Sequence, residues 1–233
     1  LPISQRAMVG NRIAAAIAQA AVSSQRSTLR IETKAGILSA RVLKDNVKIK
    51  LTDPKEYQKK IPLVIRGRPL KVNFINTGVP HTIVFVQGIE QIDVPNIAKE
   101  IRYHKYFSPA GTNVNFVEAL NDNTIKVRTY ERGVEDETLA CGTGAAASAI
   151  VFSHQLSAGQ KAVVGLPIAQ AAGQKAVVGL PIAQATISSQ QKINVITQGG
   201  ETLKVCFNKE ADRISDVWLE GKVKIVYGGE YYV

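Results

Sequence analysis

Alternating apolar and polar residues run through most of the chain and predict strands. The segments that show this pattern are 29–51, 71–86, 113–120, 124–132, 193–219 and 222–233. Two segments differ, because they are built largely of alanine and isoleucine: MVGNRIAAAIAQA (8–20) and LACGTGAAASAIV (139–151). A helix that is apolar on most sides suits an enclosed position inside a sheet. A third, shorter helix is predicted over 95–104, opened by Pro95.

The same order of elements occurs twice, since each Ala-rich helix is followed by alternating strands with a glycine turn. This repetition predicts an α/β (α+β) fold of two pseudo-symmetric domains, each a curved, mostly antiparallel sheet wrapped around a central Ala-rich helix. We assign residues 1–65 and 222–233 to the first domain and 66–221 to the second. We expect the first domain to be incomplete.

One segment departs from this pattern. The sequence AGQKAVVGLPIAQA occurs at 158–171 and again, unchanged, at 172–185. Two copies are too few for a solenoid, and together they lengthen one connection well beyond usual loop lengths. We interpret the repeat as a recent duplication or a sequence artefact and assign it no function.

Composition narrows the class of protein. Hydrophobic residues make up 45% of the chain and charged residues 21%, which is typical of a globular protein. No apolar run reaches the ~18 residues needed to cross a bilayer, and no signal peptide is recognisable, so we expect no membrane association. The formal net charge is +10, but lysines and arginines are scattered, so we expect no nucleic-acid binding. A basic nucleic-acid-binding module stays an alternative. Two cysteines are too few for a disulfide framework and favour a cytoplasmic location.

The stretch ACGTG places Cys141 at the start of the second Ala-rich helix. The N–H groups of a helix start attract carboxylates, and glycines let a ligand approach the backbone. The same positive end is expected to lower the pKa of the thiol. Cys141 is therefore a candidate base for removing a proton next to a bound carboxylate. The alternative is a buried, inert cysteine, which is our interpretation of Cys206 in the alternating LKVCF.

Three longer motifs carry a family resemblance. ERGVEDETLACGTGA (131–145), INTGVPHTIVFV (75–86) and GTNVNFVE (111–118), with the closing VYGGEYYV, resemble the diaminopimelate epimerases. The resemblance implies two α/β domains around an active-site cleft. It also implies a homodimer that interconverts LL- and meso-diaminopimelate for lysine and peptidoglycan-precursor synthesis. Two cysteines on opposite faces of the α-carbon would exchange its proton without a cofactor or a metal.

The resemblance also implies roles for individual residues. Cys141 would be one acid/base, and the backbone N–H groups of Gly142 and Thr143 would hold the α-carboxylate. The residues expected to bind the distal end of the substrate are Glu131, Arg132 and Asn113.

The first cysteine motif of the family is altered in this chain. The family has Met-Cys-Gly-Asn-Gly, whereas residues 8–12 read MVGNR, so Val9 replaces a catalytic cysteine. Gly10 and Asn11 match the family's next two positions and are predicted to bind substrate. We expect the family's N-terminal strands to be absent and activity to be impaired. His81, in TGVPH, is predicted to support the site, with a purely structural histidine as the alternative.

Two further functions stay open. One is a non-catalytic remnant that binds amino-dicarboxylates through Arg132 and the helix starts. The other is a proline-racemase-like epimerase, which would share the fold and the thiol chemistry.

Overall fold

The computed structural model describes residues 28–33, 36–43, 45–157 and 190–223. The first Ala-rich segment (8–20), the tandem copies (158–185) and the chain after residue 223 lie outside the described residues. Predictions on those segments therefore stay predictions.

The described residues form one mixed sheet of twelve strands. The strands are β1 (Thr28–Thr33), β2 (Gly36–Val42), β3 (Asn46–Lys50), β4 (Lys55–Ile65), β5 (Arg68–Asn76), β6 (Pro80–Phe85), β7 (Asn113–Asn121), β8 (Thr124–Glu131), β9 (Asp136–Thr138), β10 (Gln190–Ile196), β11 (Thr202–Glu210) and β12 (Arg213–Lys222). Their order is β1-β2-β3-β12-β11-β10-β8-β7-β6-β5-β4, with β9 paired to β8 off this path. Every pair is antiparallel except β6 with β7 and β8 with β10.

Within the described residues, two α-helices accompany the sheet: α1 (Val94–Arg102) and α2 (Gly142–Ser157). α2 contacts strands β5 to β8 and β10 to β12. Its alanines and most of its larger apolar side chains are almost fully buried, among them Ile150, Val151 and Phe152 at 0% exposure. The prediction of an enclosed Ala-rich helix is confirmed here, since small side chains let seven strands approach one helix.

The other face of the sheet packs against α1. Asp93 caps this helix by accepting a hydrogen bond from the Asn96 N–H, and Pro95 lies in the first turn, where its missing N–H costs nothing. Val94, Ile97 and Ile101 of α1 fill a second apolar core with residues of β4 to β8.

The α+β class and the mostly antiparallel sheet are confirmed. The observed helix α1 begins one residue before the predicted segment, and each long alternating segment divides into two or three strands. Strand β4 was not predicted from the sequence. It is an edge strand that pairs with β5 through a turn at Arg66 and Gly67, both at positive φ. The division into two domains at residues 65 and 222 stays a prediction.

Neither helix of the described part of the chain has the length and apolar character required to cross a lipid bilayer.

Candidate active site

Cys141 lies between the end of β9 and the first turn of α2. Its carbonyl accepts a 2.8 Å hydrogen bond from the Ala145 N–H, so the helical ladder begins at the cysteine itself. The residue is partly exposed. A small pocket of about 10 Å³ lies beside it, and Thr138, Leu139 and Thr197 form part of its wall. Cys141 therefore borders a small cavity while its backbone is fixed by the helix.

The sulfur of Cys141 has polar neighbours on more than one side. Its Sγ lies 3.6 Å from Thr143 Oγ1, and the Gly144 N–H and the Glu131 carboxylate also interact with it. Burial is the largest influence and, with the negative charge of Glu131, raises the thiol pKa to about 12. The hydrogen bonds from Thr143 and Gly144 act in the opposite direction but are weaker. The expectation of a lowered thiol pKa was wrong, because burial and Glu131 outweigh the positive helix end.

Glu131 reaches Cys141 because of a tight hairpin. Strands β8 and β9 pair antiparallel, with Glu131 opposite Asp136, and this returns the chain toward the end of β8. Thr138 Oγ1 donates a 2.7 Å hydrogen bond to Glu131 Oε1. The structure thus brings the predicted residue Glu131 to the sulfur, where a carboxylate favours the protonated thiol.

Arg132 and Asn113, the other two residues predicted to bind the distal end, contact each other. Asn113 Oδ1 accepts a 2.8 Å hydrogen bond from the Arg132 backbone N–H, and its Nδ2 donates to Pro80 O at 2.9 Å. Arg132 Nη1 donates to Ala110 O at 3.2 Å. Asn113 is buried and links the ends of three strands, whereas the Arg132 guanidinium is partly exposed. In this arrangement Asn113 orients the chain on which Arg132 is carried.

His81 is fully buried on β6, directly beneath the start of α2. Its Nε2 lies 3.1 Å from Thr143 Oγ1, and its Nδ1 lies 3.0 Å from Asn115 Nδ2. Burial, with a smaller contribution from the positive charge of Arg132, lowers the His81 pKa to about 3. The imidazole is therefore neutral at physiological pH and acts here as a hydrogen-bonding group.

An ion pair that was not predicted from the sequence holds β9 in place. Arg128 donates from Nε and Nη2 to both carboxylate oxygens of Glu137, each at 2.7 Å. Its Nη1 also donates to the backbone carbonyls of Ile89 and Ile92. This planar, bidentate contact fixes the strand that leads into Cys141. Its signal in the sequence is a charged residue at an inward position of β8.

The predicted residues that the structure brings together are thus Cys141, Thr143, Glu131 and His81, with Gly142 in the same helical turn. Arg132 and Asn113 lie at the neighbouring strand ends. Gly10 and Asn11 lie outside the described residues.

Comparison with known protein families agrees with the resemblance carried by the motifs. Residues 73–168, which include His81, Glu131 and Cys141, match the family model described as diaminopimelate epimerase. The chain is a relative of the diaminopimelate epimerases. It is 37% identical over 227 residues to the diaminopimelate epimerase of Aquifex aeolicus, covering 97% of this chain and 63% of that relative. It is 40% identical over 156 residues to that of Chlamydia trachomatis serovar L2, covering 66% of this chain and 57% of the relative.

The chain is shorter than the curated relatives that it matches. The chain spans 57% to 63% of the length of these curated diaminopimelate epimerases. The activity, substrate and partners of the whole protein are therefore proposals.

Solved structures with a similar fold extend the comparison. A Bacillus anthracis phenazine biosynthesis protein of the PhzF family has a TM-score of 0.52 at 16% identity and covers 88% of this chain and 71% of its own. A methylitaconate-delta-isomerase has a TM-score of 0.51 at 11% identity and covers 91% of this chain and 69% of its own. At these identities the likeness shows the fold.

Proposed function

We propose that this chain provides one of the two acid/base groups of a diaminopimelate epimerase, and that Cys141 is that group. The reaction interconverts LL- and meso-diaminopimelate in lysine and peptidoglycan-precursor synthesis. The observation that carries the proposal is the position of the Cys141 sulfur, which lies beside a cavity, at the start of an enclosed helix, next to the carboxylate of Glu131.

The surroundings of the sulfur suit proton transfer in both directions. A thiol with a pKa of about 12 keeps its proton at neutral pH, so Cys141 is a proton donor in the free protein. After the proton has moved to a carbanion, the thiolate still receives hydrogen bonds from Thr143 and Gly144. The nearby charge of Glu131 opposes the thiolate and favours return of a proton. Such a group can give a proton to the α-carbon and take one back.

The start of α2 suits the substrate's carboxylate. The N–H groups in the first turn of a helix have no partner within the helix, and they carry partial positive charge. Gly142 and Thr143 occupy this turn, and both are partly exposed. Negative charge spreads onto the carboxylate oxygens when the α-proton leaves, so N–H donors aimed at them stabilise that state. Arg132 provides a planar cation for a second carboxylate at the far end of a diacid.

Three features belong to the same proposal and rest on the family relationship. The reaction needs no cofactor, the protein pairs as a homodimer, and it works in the cytoplasm. Both cysteines of the described region are free thiols, which is compatible with a reducing compartment. Val9 provides no acid or base, so we propose that this chain exchanges the α-proton on one face without inverting the centre.

Exchange of the α-proton tests this proposal. The chain is incubated with LL- or meso-diaminopimelate in D₂O, and loss of the α-proton signal is followed by proton NMR. We expect slow exchange with retention of configuration that rises with pH above pH 7, because the reacting thiolate becomes more abundant. Val9→Cys should add inversion.

Two cysteine variants provide the contrast. Cys141→Ala should abolish exchange, whereas Cys206→Ala should retain it, because Cys206 is buried within β11. Exchange that survives Cys141→Ala would overturn the assignment of the acid/base. Binding of diaminopimelate without any exchange would favour the non-catalytic binding protein.

A further inference from the structure

A row of buried polar groups lies behind Cys141 on three adjacent strands. Thr129 Oγ1, on β8, lies 3.0 Å from Asn115 Oδ1, on β7. Asn115 Nδ2 lies 3.0 Å from His81 Nδ1, and His81 Nε2 lies 3.1 Å from Thr143 Oγ1. Asn115 and His81 are 0% exposed and Thr129 is 4% exposed. These contacts form a continuous hydrogen-bonded path that ends at the Cys141 sulfur.

One backbone carbonyl fixes the direction of this path. Thr82 O lies 3.3 Å from the Asn115 amide, and a carbonyl oxygen can only accept a hydrogen bond. The Asn115 group on that side is therefore the donating Nδ2, which also faces His81. His81 Nδ1 must then accept, and the imidazole proton of the neutral ring resides on Nε2.

The position of that proton determines the direction of the remaining hydrogen bonds in the path. His81 Nε2–H donates to Thr143 Oγ1, which leaves the Thr143 hydroxyl hydrogen to be donated elsewhere. The Cys141 sulfur lies 3.6 Å from this oxygen. The sulfur therefore receives a hydrogen bond from Thr143 and donates its own proton toward Glu131.

Gly144 shows that the path and the helix start are fitted to each other. A Cβ at Gly144 would lie 2.4 Å from Asn115 Oδ1 and 3.2 Å from Cys141 Sγ. The second glycine of the Gly-Thr-Gly motif is thus required for the Asn115 amide to reach His81 beneath the helix. No ligand needs to be invoked for this glycine.

We propose that Asn115, held by Thr129, is a positioning residue that fixes the imidazole proton of His81 on Nε2 and thereby directs the Thr143 hydroxyl toward the Cys141 sulfur. The catalytic part of this inference rests on the proposed role of Cys141. The hydrogen-bond direction itself can be measured without substrate.

The tautomer of His81 gives the first test. The chain is labelled with ¹⁵N-histidine, and the signal of His81 is assigned by its loss in His81→Gln. We expect the Nε2–H form alone between pH 5 and pH 8. Asn115→Leu removes the amide and should give a mixture with the Nδ1–H form. An Nδ1–H or mixed tautomer in the unmodified chain would overturn the proposal.

The reactivity of Cys141 gives the second test. Alkylation by iodoacetamide at pH 9 is followed by peptide mass spectrometry, which separates Cys141 from Cys206. We expect Asn115→Leu to slow alkylation about tenfold, the effect of losing one hydrogen bond to an ionised sulfur. In a Thr143→Val background the same change should have no further effect, because its route to the sulfur is already removed. An equal effect in both backgrounds would mean that Asn115 acts by packing alone.

Two threonine variants provide the matched control. Thr129→Val removes the group that holds the Asn115 amide and should slow alkylation severalfold, even if Asn115→Leu fails to fold. Thr82→Val removes an equally buried hydroxyl that bonds Thr112 and lies off the path, so it should leave the rate unchanged. Equal effects of both variants would overturn the proposal. If the tautomer and the alkylation results hold but α-proton exchange fails, the proposed function is wrong and the positioning role stands.

Discussion

Acidification should destabilise the folded chain through two buried histidines, His81 and His154. An unfolded histidine has a pKa near 6.5, whereas burial lowers the pKa of His81 to about 3 and that of His154 to about 4. Below pH 6.5 the two histidines therefore bind protons in the unfolded state but stay neutral in the folded state. Their contribution is fully present above pH 6.5 and is lost as the pH falls toward the folded values. At about 1.4 kcal/mol per pH unit and group, each histidine costs about 2 kcal/mol by pH 5.

Urea unfolding at pH 7 and pH 5 measures this cost. The unmodified chain should lose about 4 kcal/mol of unfolding free energy between the two values, a large share of a typical domain's stability. His81→Gln and His154→Gln should each lose only about 2 kcal/mol over the same interval, because one titrating group is missing. Carboxylates that contact neither histidine contribute equally to all three proteins and cancel in the differences between them. A pH-dependent loss in His81→Gln that equals that of the unmodified chain would refute the argument for His81.

Two further substitutions probe the start and the middle of α2. Gly144→Ala should cost about 1–3 kcal/mol in urea unfolding, because its Cβ overlaps the anchored Asn115 amide, whereas Gly142→Ala should cost less, because its Cβ meets only the end of the Leu219 side chain. Equal costs would contradict the packing argument. Phe152→Ala should cost about 3–5 kcal/mol because Phe152 is fully buried, and Leu156→Ala, at a partly buried position of the same helix, should cost clearly less.

Strand β4 shows where apolar–polar alternation in the sequence fails to predict a strand. Its first six residues, KEYQKK, are mostly exposed, and only Ile61, Leu63 and Ile65 alternate into the core. Among the described strands it pairs with β5 alone, so its other edge is unpaired and Pro62 is tolerated on it. A segment this polar gives no apolar alternation over half its length. By contrast α2 is apolar almost all round because it is enclosed, and that property is visible in the sequence.

The candidate site likewise has features that could be predicted from the sequence and features that could not. Cys141 and the glycines of its motif are neighbours in sequence, so their helix-start chemistry could be predicted. The direction of the shift in the thiol pKa could not be predicted, because it depends first on burial in the folded chain. It depends next on Glu131, which precedes Cys141 by ten residues and reaches it only through the β8–β9 hairpin. Asn115 left a weaker signal. It follows Asn113 at a spacing of two within β7, and polar residues at successive inward positions of a buried strand must find partners.

The raised thiol pKa and the proposed chemistry are compatible when the charge of the substrate is considered. A thiol with a pKa of about 12 is a scarce base in the free protein, but its thiolate, once formed, is a strong one. On the proposed function, an amino acid bound at the start of α2 would bring its ammonium group close to the sulfur, and this positive charge would oppose that of Glu131. An opposite charge within about 4–6 Å favours the ionised form of a group. On the proposed function the thiolate would form mainly when substrate is present, whereas burial and the charge of Glu131 keep the sulfur protonated when the site is empty. Such a site would limit unwanted thiol chemistry without giving up basicity at the moment of proton transfer.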